Sequence, residues 1–286
     1  MTDRKSLAVV RTIVELRAAV SRWRAAGERI ALIPTMGALH DGHLSLIEVG
    51  AKHADRVIVS IFVNPTQFGP SEDFDQYPRN EDQDVAELSA TATDLVFAPD
   101  SEEMYGEGFA TKILVGKVSQ GLCGAVRPGH FDGVATIVSK LLLQATPDVA
   151  VFGEKDYQQL MVIRRLVADL NIPAKIIGAP IVREPDGLAM SSRNRYLSTD
   201  QRRIAAQLNT ALQGLVAALH TGADPDEASN RTRAELLEAG FDKVDYVEIR
   251  NADTLLPWTG SLTNGRVLAA AHLGQTRLID NMSTAK

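Results

Sequence analysis

A chain of 286 residues, 45% of them hydrophobic, is long enough for one large domain or two unequal ones. A formal charge of −6 argues against a general nucleic-acid binder, which carries a basic surface, and the single cysteine, Cys123, excludes an internal disulfide framework and disfavours a zinc–thiolate cluster. No apolar run is long enough to span a membrane, and Met1 to Lys5 lead into no signal-like segment, so a soluble cytoplasmic protein is expected.

Apolar spacing predicts a first helix near 11–26 and then a short buried strand, Ile30-Ala31-Leu32-Ile33. The next ten residues are Pro34-Thr35-Met36-Gly37-Ala38-Leu39-His40-Asp41-Gly42-His43, and a helical pattern starts at Leu44. Two histidines around a glycine therefore stand where a strand hands over to a helix. Free backbone N–H groups and the positive end of the helix dipole favour an anion there. Gly37 and Gly42 allow tight turns and close approach to a ligand. His40 and His43, three apart, share one helical face and can both donate to phosphate oxygens. Zinc ligation and a purely structural role are the rival readings of the pair.

Val57 to Val63 is a β-branched run of the kind found in buried parallel strands. Residues 64–79, rich in Pro, Gly, Asp and Gln, read as a long loop of functional length. Asn64 and Gln67, neutral and polar at the end of a strand, suit a small substrate whose carboxylate must not be repelled; turn capping is the alternative. A helix near 81–91 opens with Glu81-Asp82-Gln83-Asp84, which could hold magnesium or simply favour the helix start. Leu95 to Phe97 is the next strand. A loop from Gly121 to Gly129 follows, with Arg127 and His130 as further sources of positive charge, and then a helix near 133–145.

The strand Val149 to Phe152 runs into Gly153-Glu154-Lys155-Asp156. A lysine just past a parallel strand's carboxyl end faces the crevice where such sheets bind ligands, and Lys155 could neutralise a phosphate or be an ordinary solvated turn residue. A helix near 157–170 carries Gln158 and Gln159, whose amides suit a hydroxy acid. Lys175 to Gly178 is a further strand. The repeated alternation predicts an α/β fold with a doubly wound, Rossmann-like parallel sheet and right-handed crossovers.

The pattern changes near residue 183. Met190-Ser191-Ser192-Arg193-Asn194 offers two hydroxyls and a guanidinium, either a polyphosphate clamp or a plain surface loop. A long amphipathic helix starts at Ser198-Thr199-Asp200 and runs toward His220, a second spans about 226–239, and strands follow at 245–250, 267–272 and 277–280. Domains are therefore expected at 1–182 and 183–286, the second a smaller α+β domain closing over the ligand site.

Taken in order, these segments resemble the pantoate–β-alanine ligase family over nearly the whole chain. The likeness is strongest at Pro34 to His43, Ser60 to Phe68, Arg127 to Phe131, Gly153 to Gln159, Met190 to Arg193 and Arg277 to Asn281. A His-x-Gly-His alone marks only the wider nucleotidyl-transferase superfamily, which shares its fold with class I aminoacyl-tRNA synthetases. Met190 to Arg193 is similar to the Lys-Met-Ser-Lys-Ser loop of those enzymes.

The resemblance implies a two-step reaction with ATP, pantoate and β-alanine as substrates and Mg2+ accompanying ATP. Pantoate attacks the α-phosphate to give pantoyl adenylate and pyrophosphate, and the β-alanine amine then displaces AMP. It implies that His40, His43, Lys155 and Arg193 are catalytic, that Ser191 and Ser192 join them at the phosphates, and that His43 donates a proton or a hydrogen bond. The nucleotide pocket would take in Met36, Gly37, Ala38, Leu39, Asp41, Gly42, Gly153, Glu154, Asp156, Val182 and Met190. Gln67 and Gln159, with Asn64 in support, would bind pantoate, and Asp84 is the candidate metal carboxylate. The family also implies a homodimer. Two rivals remain: another adenylyl transferase of the superfamily, which would need extra cations for a phosphorylated acceptor, and a non-catalytic adenine-nucleotide sensor.

Overall fold

The computed structural model of the chain describes residues 7–70 and 72–285; Met1 to Lys5 lie outside them. The elements begin with β1 (Ala8–Val10), α1 (Ile13–Ala25), β2 (Ile30–Thr35), α2 (Asp41–Ala51), β3 (Arg56–Ile61), α3 (Glu81–Leu88) and β4 (Leu95–Phe97). There follow α4 (Ser101–Met104), α5 (Leu122–Val126), α6 (His130–Ala145), β5 (Val149–Gly153), α7 (Tyr157–Asp169) and β6 (Lys175–Ala179). The chain continues with α8 (Thr199–Ala205), α9 (Gln207–His220), α10 (Pro225–Glu238), β7 (Lys243–Asn251), β8 (Gly265–Leu273) and β9 (Thr276–Ser283). It forms two compact units. The first comprises 1–116, 127–154 and 162–180, and the second 117–126, 155–161 and 181–286.

The first unit holds a six-stranded sheet of order β1-β4-β3-β2-β5-β6, parallel throughout. Strands step outward from β2 to β3 and β4, then the chain crosses back and lays β5 and β6 on the other side of β2. The direction of winding reverses between β2 and β5, which makes the carboxyl ends of these two strands the switch point where such sheets bind ligands. Ile30, Ala31, Leu32 and Ile33 are all fully buried, as expected of a strand covered on both faces. Leu46 and Ile47 of α2 pack with Ala31, Ile33, Val57, Val59, Val149 and Val151. Gly50 lets α2 sit close: a Cβ there would lie 3.1 Å from Ile33 Cδ1 and 3.3 Å from Ala31 Cβ.

Carboxylates fix the amino ends of these strands. Asp148 accepts from the Ile30 N–H at 2.7 Å and pairs with Arg24 at 2.7 Å, which aligns β5 with β2. Asp94 accepts from the Val57 N–H at 2.9 Å and from Arg56 at 2.8 Å, and Arg56 also forks onto Glu28 at 2.7 and 2.9 Å.

In the second unit β7, β8 and β9 form an antiparallel sheet. Leu208, Leu212, Leu215 and Leu219 of α9 and Ala228 and Leu236 of α10 pack with Val247, Val267, Ala269 and Leu278. Residues that alternate with these meet the two inserted segments: Cys123 Sγ lies 3.1 Å from the Tyr246 hydroxyl, and the Arg266 guanidinium lies 3.7 Å over the Tyr157 ring. Gln158 secures the 117–126 segment by accepting from the Cys123 N–H at 2.9 Å and donating to the Val118 carbonyl at 3.1 Å. Burial raises the Tyr246 phenol well above its ordinary value.

The alternation of strand and helix follows the sequence closely, with local differences that include the unexpected one-turn α4. β1 is a three-residue edge strand, too short for its pattern to stand out. The 121–129 loop contains the single-turn helix α5. The helix toward His220 is two, since its hydrogen-bond ladder breaks at Ala206 although that residue keeps helical angles of −62° and −25°.

Candidate active site

The His-x-Gly-His turn leaves the carboxyl end of β2 at the switch point. The Thr35 hydroxyl donates to the Ser60 carbonyl at 2.7 Å and accepts from the Gly37 N–H at 3.2 Å, which starts the bend. Gly37 and Ala38 take left-handed φ values of 79° and 53°. The bend aims the N–H groups of Ala38 and Leu39 at the two oxygens of Asp84 on α3, both at 2.8 Å. Asp84 is 3% exposed. A Cβ on Gly37 would sit 2.8 Å from its Oδ2, so a side chain at position 37 would collide with this carboxylate.

His40 caps α2. Its Nδ1 accepts from the Gly42 N–H at 3.1 Å, which leaves the proton of the neutral ring on Nε2. The His43 N–H donates to the His40 carbonyl at 2.7 Å, and the two rings lie 4.1 Å apart at 40°. Both imidazoles thus belong to the first turn of an 11-residue helix, where its dipole favours an anion.

Asp84, the candidate metal carboxylate, has both oxygens engaged by backbone N–H groups and so holds the turn. No group of three or more His, Cys, Asp or Glu among the described residues is arranged to hold a metal.

Beside this turn, β3 ends in the Asn64–Gln67 segment. The Asn64 amide is 1% exposed and fully employed. Its Nδ2 donates to Gln67 Oε1 at 3.0 Å and to the Gly133 carbonyl at 3.2 Å, while its Oδ1 accepts from Thr66 Oγ1 at 2.9 Å and the Tyr105 hydroxyl at 2.7 Å. Asn64 therefore sets the orientation of Gln67, whose Nε2 points at Met36 Sδ, 3.0 Å away. The first unit so brings Met36, Asn64 and Gln67 together. Gly133 inside α6 makes the approach possible, because a Cβ there would lie 2.3 Å from the Thr66 carbonyl oxygen.

Arg127 and His130 complete this corner. Arg127 pairs with Glu72 at 2.5 Å, and His130 Nδ1 lies 2.8 Å from the Gln67 carbonyl. Burial alone would raise the Glu72 carboxyl, but the bond to Arg127 and its charge outweigh burial and hold it below its usual value. Arg127 is thus largely neutralised by the loop it fastens.

At the carboxyl end of β5, a Cβ on Gly153 would meet no protein atom, which leaves open space there. Lys155 and Asp156 follow in a turn, with the Lys155 ammonium 3.9 Å from the Asp156 carboxylate. Lys155, Asp156 and half-buried Gln159 belong to the second unit, Gly153 and Glu154 to the first.

The second unit also carries the 182–196 loop. The Met190 N–H donates to the Val182 carbonyl at 3.0 Å and the Glu184 N–H to the Leu188 carbonyl at 2.8 Å, closing a narrow turn. Ser191 then caps a short helical turn, Ser192–Tyr196, by accepting from the Arg193 N–H at 3.3 Å. The side chain of Asn194 ties back to the Ala189 carbonyl at 3.2 Å. Ser192 is buried and Arg193 half-buried, so this is a shaped loop rather than an open surface one.

Sequence reasoning passed over Tyr105, Gly133 and the carboxylate–backbone role of Asp84. An isolated glycine in an otherwise apolar helical pattern was a usable signal for Gly133, since it marks a close approach.

A family model described as pantoate-beta-alanine ligase matches residues 8–283. A pantothenate synthetase of Paramagnetospirillum magneticum is 58% identical over 274 residues, covering 96% of each chain. A crystal structure of pantothenate synthetase from Thermus thermophilus superposes with a TM-score of 0.92 at 46% identity, covering 98% of this chain and all of that one. A Francisella tularensis pantoate-beta-alanine ligase, complexed with beta-gamma ATP and beta-alanine, gives a TM-score of 0.81 at 34% identity, covering 97% of this chain and 98% of that one.

Proposed function

The chain belongs to the pantoate–β-alanine ligase family and catalyses the ATP-dependent condensation of pantoate with β-alanine to pantothenate; we propose that the residues described above divide that reaction as follows. The observation that carries the assignment is the His40–His43 turn at the switch point, its backbone fixed by buried Asp84.

Pantoate supplies its own nucleophile, so the protein needs no reactive serine or cysteine. Its task is to hold two anions in line and to meet charge growing on the phosphates. The pantoate carboxylate oxygen forms a bond to the α-phosphorus as the bond to the bridging oxygen breaks, and pyrophosphate leaves. His40 and His43 donate to phosphate oxygens from the start of α2, with His43 facing the leaving group. Lys155, Ser191, Ser192 and Arg193 act on the same ATP, the two cations offsetting its charge. Met36 to Gly42, Gly153 to Asp156, Val182 and Met190 each contribute to nucleotide binding.

Gln67, oriented by Asn64, and Gln159 bind pantoate through amides that do not repel its carboxylate. In the second step the β-alanine amine attacks the acyl carbon, the bond to AMP breaks, and the amine loses its proton to solvent. Mg2+ would enter with ATP as part of the substrate and offset phosphate charge; Asp84, whose oxygens accept from the Ala38 and Leu39 N–H groups, is given no role in holding it. We also propose a homodimer, after the family, and a cytoplasmic location. No helix among the described residues is long and apolar enough to cross a membrane.

The test is incubation of the purified protein with ATP, magnesium and pantoate, with and without β-alanine. Pyrophosphate release with pantoate, and AMP with pantothenate only when β-alanine is added, is the expected result. Nucleotide binding without turnover of pantoate would overturn the assignment.

A further inference from the structure

Lys155 carries its charge on a four-carbon stem with many rotamers. The protein can limit its reach by fixing the backbone from which the stem starts, and that backbone lies in the one-turn segment Glu154–Asp156. Its support comes from β9. Asn281, 2% exposed, donates from Nδ2 to the Lys155 carbonyl at 2.9 Å. The amide cannot be turned over, because its Oδ1 accepts from Arg266 Nε at 2.6 Å. Arg266 in turn stacks on Tyr157, two residues past Lys155, and the Tyr157 hydroxyl donates to the Ala252 carbonyl at 2.9 Å.

The preceding residue does the same for the other phosphate-directed segment. The Asp280 side chain is 1% exposed and takes both arms of the Arg183 guanidinium, at 2.7 and 2.9 Å. Its Oδ1 also accepts from the Asn281 N–H at 2.7 Å. Arg183 donates onward to the Gly187 carbonyl at 3.0 Å and pairs with Ala189 across the turn that leads into Ser191–Arg193. Successive residues of a strand face opposite sides of the sheet. Asp280 therefore reaches the Arg183 turn on the side of α9, where Asn209 also meets it, and Asn281 reaches Lys155 on the other side. Bonds to β8 from Thr276 to Ser283 hold both in one register.

We propose that Asp280 and Asn281 are positioning residues for adenylation: through one strand they fix the origin of Lys155 and the root of the Ser191–Arg193 loop in a common frame. This rests on the reading that Lys155 and that loop act on the ATP phosphates. Asn281→Asp keeps the shape and the acceptor for Arg266 but turns an anionic oxygen toward the Lys155 carbonyl, and Asn281→Ser removes the donor without adding charge should the aspartate variant not fold.

The experiment compares pyrophosphate release by wild type, Asn281→Asp, Lys155→Ala and the double variant, with unfolding midpoints as control. For Asn281→Asp we expect kcat to fall about tenfold to a hundredfold, with KM for ATP changed less than about threefold. The double variant should lose no more than Lys155→Ala alone, since residues acting through one group are not additive. A wild-type kcat in folded Asn281→Asp or Asn281→Ser, or losses that multiply in the double variant, would overturn the proposal. Wild-type adenylation by Lys155→Ala would instead sink the reading beneath it, which keeps the two failures distinct.

Discussion

The two ends of the parallel sheet are built from opposite chemistry. At the amino ends of β2, β3 and β5, carboxylates meet arginines: Asp148 with Arg24, and Asp94 and Glu28 with Arg56. At the carboxyl ends imidazoles, amides and glycines predominate, and buried Asp84 accepts from two backbone N–H groups. The first end spends its charges within the protein and can only add stability. The second answers only some of its positive groups from within, Asp84 taking two N–H groups and Glu72 taking Arg127, and it keeps the start of α2 with its two imidazoles, where a helix favours an anion.

Substitutions at the two ends should separate along that line. The largest effect is expected for His43→Ala, a loss of about 10²–10³ in pyrophosphate release with an unchanged unfolding midpoint. A parallel loss of stability would show that the ring is structural. Asp84→Asn tests the end where the two classes meet. It puts an amide donor against a backbone donor, so release of pyrophosphate should fall about tenfold to a hundredfold and stability by about 1–3 kcal/mol in denaturant titration. If added magnesium restored that activity, the carboxylate would be a metal site after all.

Gly133→Ala should act on the neighbouring pocket. The added methyl displaces the Asn64–Gln67 segment, which raises KM for pantoate more than KM for ATP and costs about 1–3 kcal/mol. An unchanged pantoate requirement would detach Gln67 from that substrate.

The smallest effect belongs to the other end. Burial alone would raise the Asp148 carboxyl, but the bonds from Arg24 and the Ile30 N–H outweigh it and lower the value. A folded value below the unfolded one, about 3.9, adds stability that is complete above roughly pH 4 and lost as pH falls through the folded value. Asp148→Asn should therefore lose about 1 kcal/mol at neutral pH, flatten the acid limb of the stability profile and leave turnover intact. Reduced turnover at full occupancy of ATP would blur the contrast between the two ends.

How much of this was legible depended on sequence distance. The strands, the His40–His43 turn, Lys155 and the Met190–Arg193 loop are each contiguous, so residue type and order revealed them. The supports are not. Asp84 reaches Ala38 from 46 residues away, Asn64 reaches Gly133 across 69, and Asn281 reaches Lys155 across 126. A buried carboxylate at the start of α3 looks the same in sequence whether it serves a cation or two N–H groups. The break at Ala206 had no breaker residue to announce it, and β1 is shorter than its own alternation period can establish.

The adjacency of β2 and β5 also has a kinetic side. β2 meets β3 by closing a short stretch, with Asp55 accepting from Arg29 only 26 residues back, whereas Ile30 meets Asp148 across 118. Loop closure must be met before such a contact stabilises anything, and pairings of long range form slowly. Until β5 arrives, one edge of β2 stays unpaired, an apolar strand able to join any other chain. The β2–β5 switch point is thus assembled at the late, aggregation-prone stage of folding, and dilute, cool conditions should favour refolding over precipitation.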